Sequence, residues 1–151
     1  MAKNKQDSLG TLFQDIARLR VFSYNTMLKE LELTAPQSLV ILALLDEQGV
    51  IQGDLARTLG IRAVTLGGLI DRMEIKEWVE RRPDENDRRA KRIWLTDKGR
   101  ELESVIRKSL DNVHNVSIEG IESSQVEQLT ETLLEIRKNL LAFKEQQDNP
   151  T

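Results

Sequence analysis

The chain has 151 residues, 39% hydrophobic and 31% charged, with a net charge of −3; this suits one domain with a modest core, or a small domain carrying dimerisation arms, and excludes a disordered chain. It has no Cys and a single His, His114, which excludes disulfides, thiol redox sensing, Cys-ligated zinc, Cys nucleophiles and any multi-His metal site. No apolar run approaches the roughly 20 residues of a membrane span, and the start, MAKNKQDSLG, has no apolar stretch of the signal-peptide kind, so a cytoplasmic protein is expected.

Taken in chain order, the first element is a long helix from Ser8 to about Leu31. Leu9, Leu12, Phe13, Ile16 and Leu19 follow helical spacing, and Met27, Leu28 and Leu31 close the segment. Thr34 followed by Gln37 is a capping box, with Pro36 in the first turn where it costs no helical hydrogen bond. The helix it opens runs through Leu45 and is apolar on every side, so it is expected to be buried; Gly49 ends it.

A short helix from Gln52 to Leu59, with Leu55, Ala56 and Leu59 inward, leads to Gly60. A second helix follows from about Arg62 to Glu77, with Leu66, Leu69, Ile70 and Met73 inward. Two helices joined by a tight Gly turn form a helix-turn-helix, whose second helix enters the major groove of DNA. Its exposed face offers Arg62, Ala63, Val64, Thr65, Gly68 and Arg72. Thr65 can hydrogen-bond a base or phosphate, Val64 can meet a thymine methyl, and Arg72 can reach guanine or the backbone. Gly67 and Gly68 fall inside this helix, each at a cost of ~1 kcal/mol against Ala. They point to a close approach by DNA or a neighbouring helix, or to a less rigid reading head.

Trp78 to Arg82 alternate apolar and polar, as do Arg92 to Leu95 in part, around the turn-rich tip Pro83-Asp84-Glu85-Asn86-Asp87. Two short strands directly after a helix-turn-helix make a wing. Arg88, Arg89 and Lys91 lie at or beside its tip, and an Arg on a hairpin can enter a narrow, electronegative A·T-rich minor groove. Asp84 and Asp87 are expected to shape the turn. The charge distribution agrees: from Ile51 to Arg100 there are 12 Lys/Arg against 9 Asp/Glu, while the rest of the chain holds 10 against 16. A basic middle between acidic flanks attracts phosphates to one face and discourages wholesale binding of polyanions.

Thr96 caps the next long helix, whose apolar face is Leu102, Val105, Ile106, Leu110 and Val113. The last helix starts near Ser123 or Ser124. Val126, Leu129, Leu133, Ile136, Leu140 and Phe143 step by threes and fours along it, a heptad seam suited to helix-on-helix packing with a partner subunit. Residues beyond Gln146 form a tail.

The run Asp87-Arg88-Arg89-Ala90-Lys91-Arg92-Ile93-Trp94-Leu95-Thr96 resembles the wing signature of the MarR family of bacterial regulators, and its Asp-Arg-Arg-Ala-Lys-Arg-Ile core is similar to the SlyA branch. The resemblance continues upstream through Leu33-Thr34-Ala35-Pro36-Gln37, Asp54-Leu55-Ala56, Leu59-Gly60-Ile61, Leu69-Ile70-Asp71-Arg72-Met73 and Trp78-Val79-Glu80-Arg81. It implies a mainly α fold with a small β-wing. The winged helix-turn-helix would span residues 33–98, with dimerisation helices at 1–32 and 99–147 intertwined in a homodimer of triangular outline, and a tail at 148–151. It assigns minor-groove insertion to Arg89 and pairs Asp71 with Arg89 to brace the wing. It also implies small aromatic or phenolic acids bound between the dimer lobe and the winged lobe, with Arg18, Tyr24 and Trp78 as lining candidates. No cofactor or metal is implied. Two departures stand out: Gly68, where the SlyA branch has Arg, and Glu77, where relatives have Gly.

The expected activity is therefore sequence-specific binding of pseudo-palindromic, A·T-rich double-stranded DNA by a homodimer. An enzyme is disfavoured, since no Cys, one His and no Gly-rich phosphate loop leave little catalytic equipment. The alternative is a winged-helix protein-interaction adaptor. Only DNA binding would weaken steeply with salt, through counterion release.

Overall fold

The first helix, α1, spans Leu9–Met27 and is capped by Ser8, whose side chain accepts the Thr11 N–H at 3.2 Å. The structure is a computed structural model that describes residues 8–87 and 89–148. α1 ends four residues before the expected Leu31, because a single 3-10 turn at Lys29–Leu31 and a left-handed Glu32 (φ 51°) redirect the chain. The next helix, α2 (Ala35–Asp46), opens on the predicted capping box, with the Thr34 N–H donating to Gln37 Oε1 at 3.0 Å. Asn25 of α1 accepts the Ala35 N–H at 2.7 Å, so the start of α2 is tied to α1. Val40, Ile41 and Leu44 are buried as expected, but Leu39 is 52% exposed. An all-round apolar helix is thus only partly covered by its own chain.

After Gly49, in the left-handed region at φ 69°, comes a two-residue strand, β1 (Val50–Ile51), which was not anticipated. Two residues are too short to show alternation. A side chain at position 49 would also place a Cβ 2.5 Å from the Trp94 ring. Helices α3 (Gln52–Thr58) and α4 (Ala63–Ile75) then form the helix-turn-helix around Gly60, which has φ 65°. Leu55 and Ala56 face the core from α3, and Leu66, Leu69, Ile70 and Met73 from α4, as the helical period predicts. Arg62 and Glu77 flank α4 and do not lie inside it. Arg62 is its extended N-cap, and Glu77 holds a left-handed turn at φ 59°, a conformation that costs a non-glycine residue.

The wing is the antiparallel pair β2 (Val79–Pro83) and β3 (Lys91–Leu95), and β1 adds to the far side of β3 to give the order β1-β3-β2. In the register, Val79 faces Leu95, Arg81 faces Ile93 and Pro83 faces Lys91. Thr96 caps the next helix, accepting the Gly99 N–H at 3.0 Å, but that helix is not continuous. A short α5 (Asp97–Arg100) tightens where the Leu102 N–H bonds Gly99 O, and α6 (Glu103–Ile118) then begins. Ile106 and Val113 of α6 complete a core built on Leu28, Ile41, Leu44, Leu66, Ile70, Met73 and Ile93.

This core belongs to a unit that ends at Val113; a second unit begins at His114 and contains the long helix α7 (Ser123–Asp148). No residue of α7 is buried within the chain, and Leu129, Leu133, Leu140 and Phe143 of its heptad seam are exposed.

Candidate nucleic-acid interface

Helix α4 presents one face to the core and leaves the other bare. Arg62, Ala63, Val64 and Thr65 are all exposed at its start, Val64 to 75%, with Arg72 exposed two turns further on. Between them the helix is narrow. A Cβ at Gly68 would meet nothing within 4 Å, and one at Gly67 would make only an ordinary contact with the Gln52 amide at 3.7 Å. No neighbouring helix of this chain therefore requires a glycine at either position.

The wing tip is folded by its own carboxylates, in line with the role expected for Asp84 and Asp87. Asp84, only 6% exposed, accepts the N–H groups of Asn86 and Asp87 through Oδ1, both at 2.8 Å, and the Arg92 Nε–H through Oδ2. Arg92 also donates to Gly49 O at 2.6 Å, joining the tip to the turn before β1. Asp87 accepts the Arg89 N–H at 2.8 Å. The backbone N–H groups of Asp87 and Asn86, and then Arg92, hold the Asp84 carboxyl below the ordinary value of 3.8. The outer face of the sheet is likewise ordered, with Arg82 paired to Glu80 and its guanidinium 4.8 Å from the Trp94 ring centroid.

The cations of this region divide into two groups. Arg57, Lys76, Arg81, Arg82, Arg92 and Lys98 are held by carboxylates of the same chain. Arg62, Arg72, Arg89, Lys91 and Arg100 make no ion pair among the described residues and are exposed. Arg88 lies outside the described residues. Apart from Arg100 on α5, the cations unpaired among the described residues are at the two ends of the exposed face of α4 and at the wing.

The bracing residue Asp71 is 2.7 Å from Arg81 Nη1, on the strand that enters the wing, and not paired with Arg89 as the resemblance implied. Arg81 also donates from Nε to Gln52 Oε1 at 3.1 Å and from Nη2 to Gly67 O at 3.2 Å, and it pairs with Glu74. Its backbone N–H donates to Glu74 Oε1 at 2.9 Å. Arg81 is not among the residues that the sequence singles out. The signal was present in the alternation: Arg81 shares an inward face with Val79, opposite the buried Ile93, and a cation there must find acceptors.

Of the three candidates for a ligand cleft, Tyr24 and Trp78 are buried and Arg18 is on the surface. Tyr24 is in the core, its hydroxyl donating to Ile106 O at 3.5 Å and its pKa raised by burial. Trp78 is also in the core, with Lys76 Nζ 4.7 Å from its ring centroid. Arg18 is on the exposed side of α1, paired to Asp15 one turn away. Large amphipathic aromatics serve a core as readily as a cleft, and the sequence does not separate the two uses.

Comparison with known proteins gives this arrangement a context. Residues 31–90, which hold the helix-turn-helix and most of the wing, match the model of the MarR family. The chain is 27% identical over 125 residues to YybA of Bacillus subtilis, named as an HTH-type transcriptional regulator, with 83% of each chain covered. Among solved structures it is similar to the transcriptional regulator SlyA, at 28% identity and a TM-score of 0.77 over 85% of this chain and 90% of that one. It is similar to the same degree to CouR of Rhodococcus jostii RHA1 bound to p-coumaroyl-CoA, at 26% identity and a TM-score of 0.76 over 89% and 95% of the two chains. SlyA and CouR stand level, so these likenesses support the family and do not single out the SlyA branch. With residues 31–90 matched in sequence and its fold shared with SlyA, the chain is similar to winged helix-turn-helix transcriptional regulators of the MarR family.

Proposed function

We propose that the protein is a homodimeric, sequence-specific regulator of the cytoplasm that reads pseudo-palindromic, A·T-rich duplex DNA. The observation that carries this reading is the sorting of its cations. Those with structural work are spent on carboxylates of the chain, while Arg62, Arg72, Arg89 and Lys91 stay exposed without an ion pair among the described residues. In this reading the start of α4 lies in the major groove and Arg89 enters the adjacent minor groove, where a narrow A·T tract concentrates negative potential.

The homodimer rests on the apolar residues left uncovered. Leu9, Ile16, Leu19 and Phe22 of α1 and Leu129, Leu133, Leu140 and Phe143 of α7 are exposed, too many at regular helical spacing for scattered surface apolar residues. A two-fold pair of reading heads in turn demands two-fold related half-sites. Control by a small aromatic ligand is supported by the coumaroyl thioester on CouR. With Tyr24 and Trp78 in the core, such a ligand would be held by other residues here.

Salt dependence tests the DNA reading. A duplex selected by the protein from a randomised pool should lose affinity steeply, in proportion to the number of phosphates neutralised, as salt is raised. Failure to select any duplex, or binding indifferent to salt, would favour the adaptor instead.

A further inference from the structure

We infer that Arg81 is a positioning residue for DNA reading: it fixes the angle between the wing and the recognition helix and does not read DNA itself. This rests on the DNA-binding reading above and deepens it. The side chain is 21% exposed; it donates to Gln52, Gly67 O and Glu74 and makes an ion pair with Asp71, so it holds four groups of the chain. One of the four, Gln52, is on α3. The other three, Gly67 O, Asp71 and Glu74, are on α4 at spacings of four and three, which places them along a single stripe of that helix. A strand residue that grips two turns of the recognition helix and the helix before it leaves the wing little freedom to swing.

The grip depends on the planar guanidinium. Nε, Nη1 and Nη2 point to different acceptors, and a Lys ammonium at that position would be a point charge able to satisfy the carboxylates but not the whole set. It also gives Gly67 a role. A methyl at Gly67 would fit at 3.7 Å from Gln52, whereas a longer side chain would enter the space of the Gln52 amide that Arg81 holds.

The wing tip carries Arg89 toward one groove while α4 enters another. If the angle between them is preset, both are reached in one binding event; if it wanders, ordering the wing costs affinity on each half-site.

The test is a double-mutant cycle on a duplex selected by the wild-type protein, with Arg81→Lys, Arg89→Ala and the pair. Arg81→Lys keeps the charge and would preserve any direct phosphate contact. It is nevertheless expected to bind about tenfold more weakly, within the range over which members of one hydrogen-bonded network couple. In the Arg89→Ala background it should cost little more, because a wing without its probe gains nothing from a fixed angle. Wild-type affinity for Arg81→Lys, or losses that simply add, would overturn the inference. If Arg81→Lys does not fold, Asp71→Ala, at a carboxylate 65% exposed, enters the same cycle with the same expected and contrary outcomes. Failure of the wild-type chain to select a duplex overturns the DNA reading as well, and shows in the wild type alone.

Discussion

Asp71 reaches Arg81 at 2.7 Å, so the carboxylate of the recognition helix braces the base of the wing and leaves Arg89 at its tip unpaired among the described residues. This division suits a probe. A guanidinium already neutralised by Asp71 would have to break that pair before entering a groove, whereas an unpaired one pays no such cost. Because Asp71 is exposed, removing its charge should cost less than about 1 kcal/mol of folding stability. Asp71→Ala should therefore melt close to the wild type in a thermal scan; a large fall in Tm would show that the pair carries the fold.

The wing tip should be stable at neutral pH and lost only in strong acid. Asp84 has its folded pKa depressed by the Asp87 and Asn86 N–H groups and by Arg92, so its contribution is present above the ordinary Asp range. It disappears as pH falls through the lower folded value, where the carboxyl gains a proton and the Arg92 pair breaks. Asp84→Asn keeps an oxygen for the turn N–H groups but loses the pair with Arg92, and Asp84→Ala loses both. Amide exchange at Asn86 and Asp87 should accelerate moderately in the first and strongly in the second. Equal exchange in all three proteins would contradict this account of the tip.

Gly99 is a position where the backbone approach demands glycine. A Cβ there would be 2.1 Å from Trp78 O and 2.7 Å from the Leu95 side chain, and the Trp78 carbonyl is backbone that cannot yield cheaply. Gly99→Ala is expected to destabilise the protein by about 2–3 kcal/mol, as overpacking in a filled core does. Urea unfolding would measure it, and an unchanged midpoint would mean that α5 shifts without cost.

The seam on α7 should hold the proposed homodimer. Leu133→Glu with Leu140→Glu places a charge at two exposed seam positions, leaving the buried core of the first unit intact. Sedimentation should show monomers with retained helix content. A dimer of unchanged strength would move the interface elsewhere.

Much of the helical frame was legible because period and capping are local. The inward positions of α4 and the capping box at Thr34 are set by neighbours within four residues, and each appears where the pattern places it. What was missed depends on residues far apart in sequence. β1 exists through its pairing with β3, and the break before α6 sits beside the close approach of Gly99 to Trp78. The partner of Asp71 was likewise beyond reach of spacing alone. Arg81 and Arg89 are both cations of the same hairpin, and the register that turns Arg81 inward decides between them.

The central claim is that the free cations of α4 and the wing read DNA, and Arg89→Ala tests it most directly. A gel-shift titration of a folded, dimeric variant on a duplex selected by the wild type should show affinity lower by at least about tenfold, the worth of one well-placed Arg contact. The log–log salt slope should fall by about two, one for each wing. Wild-type affinity with an unchanged slope would contradict the account.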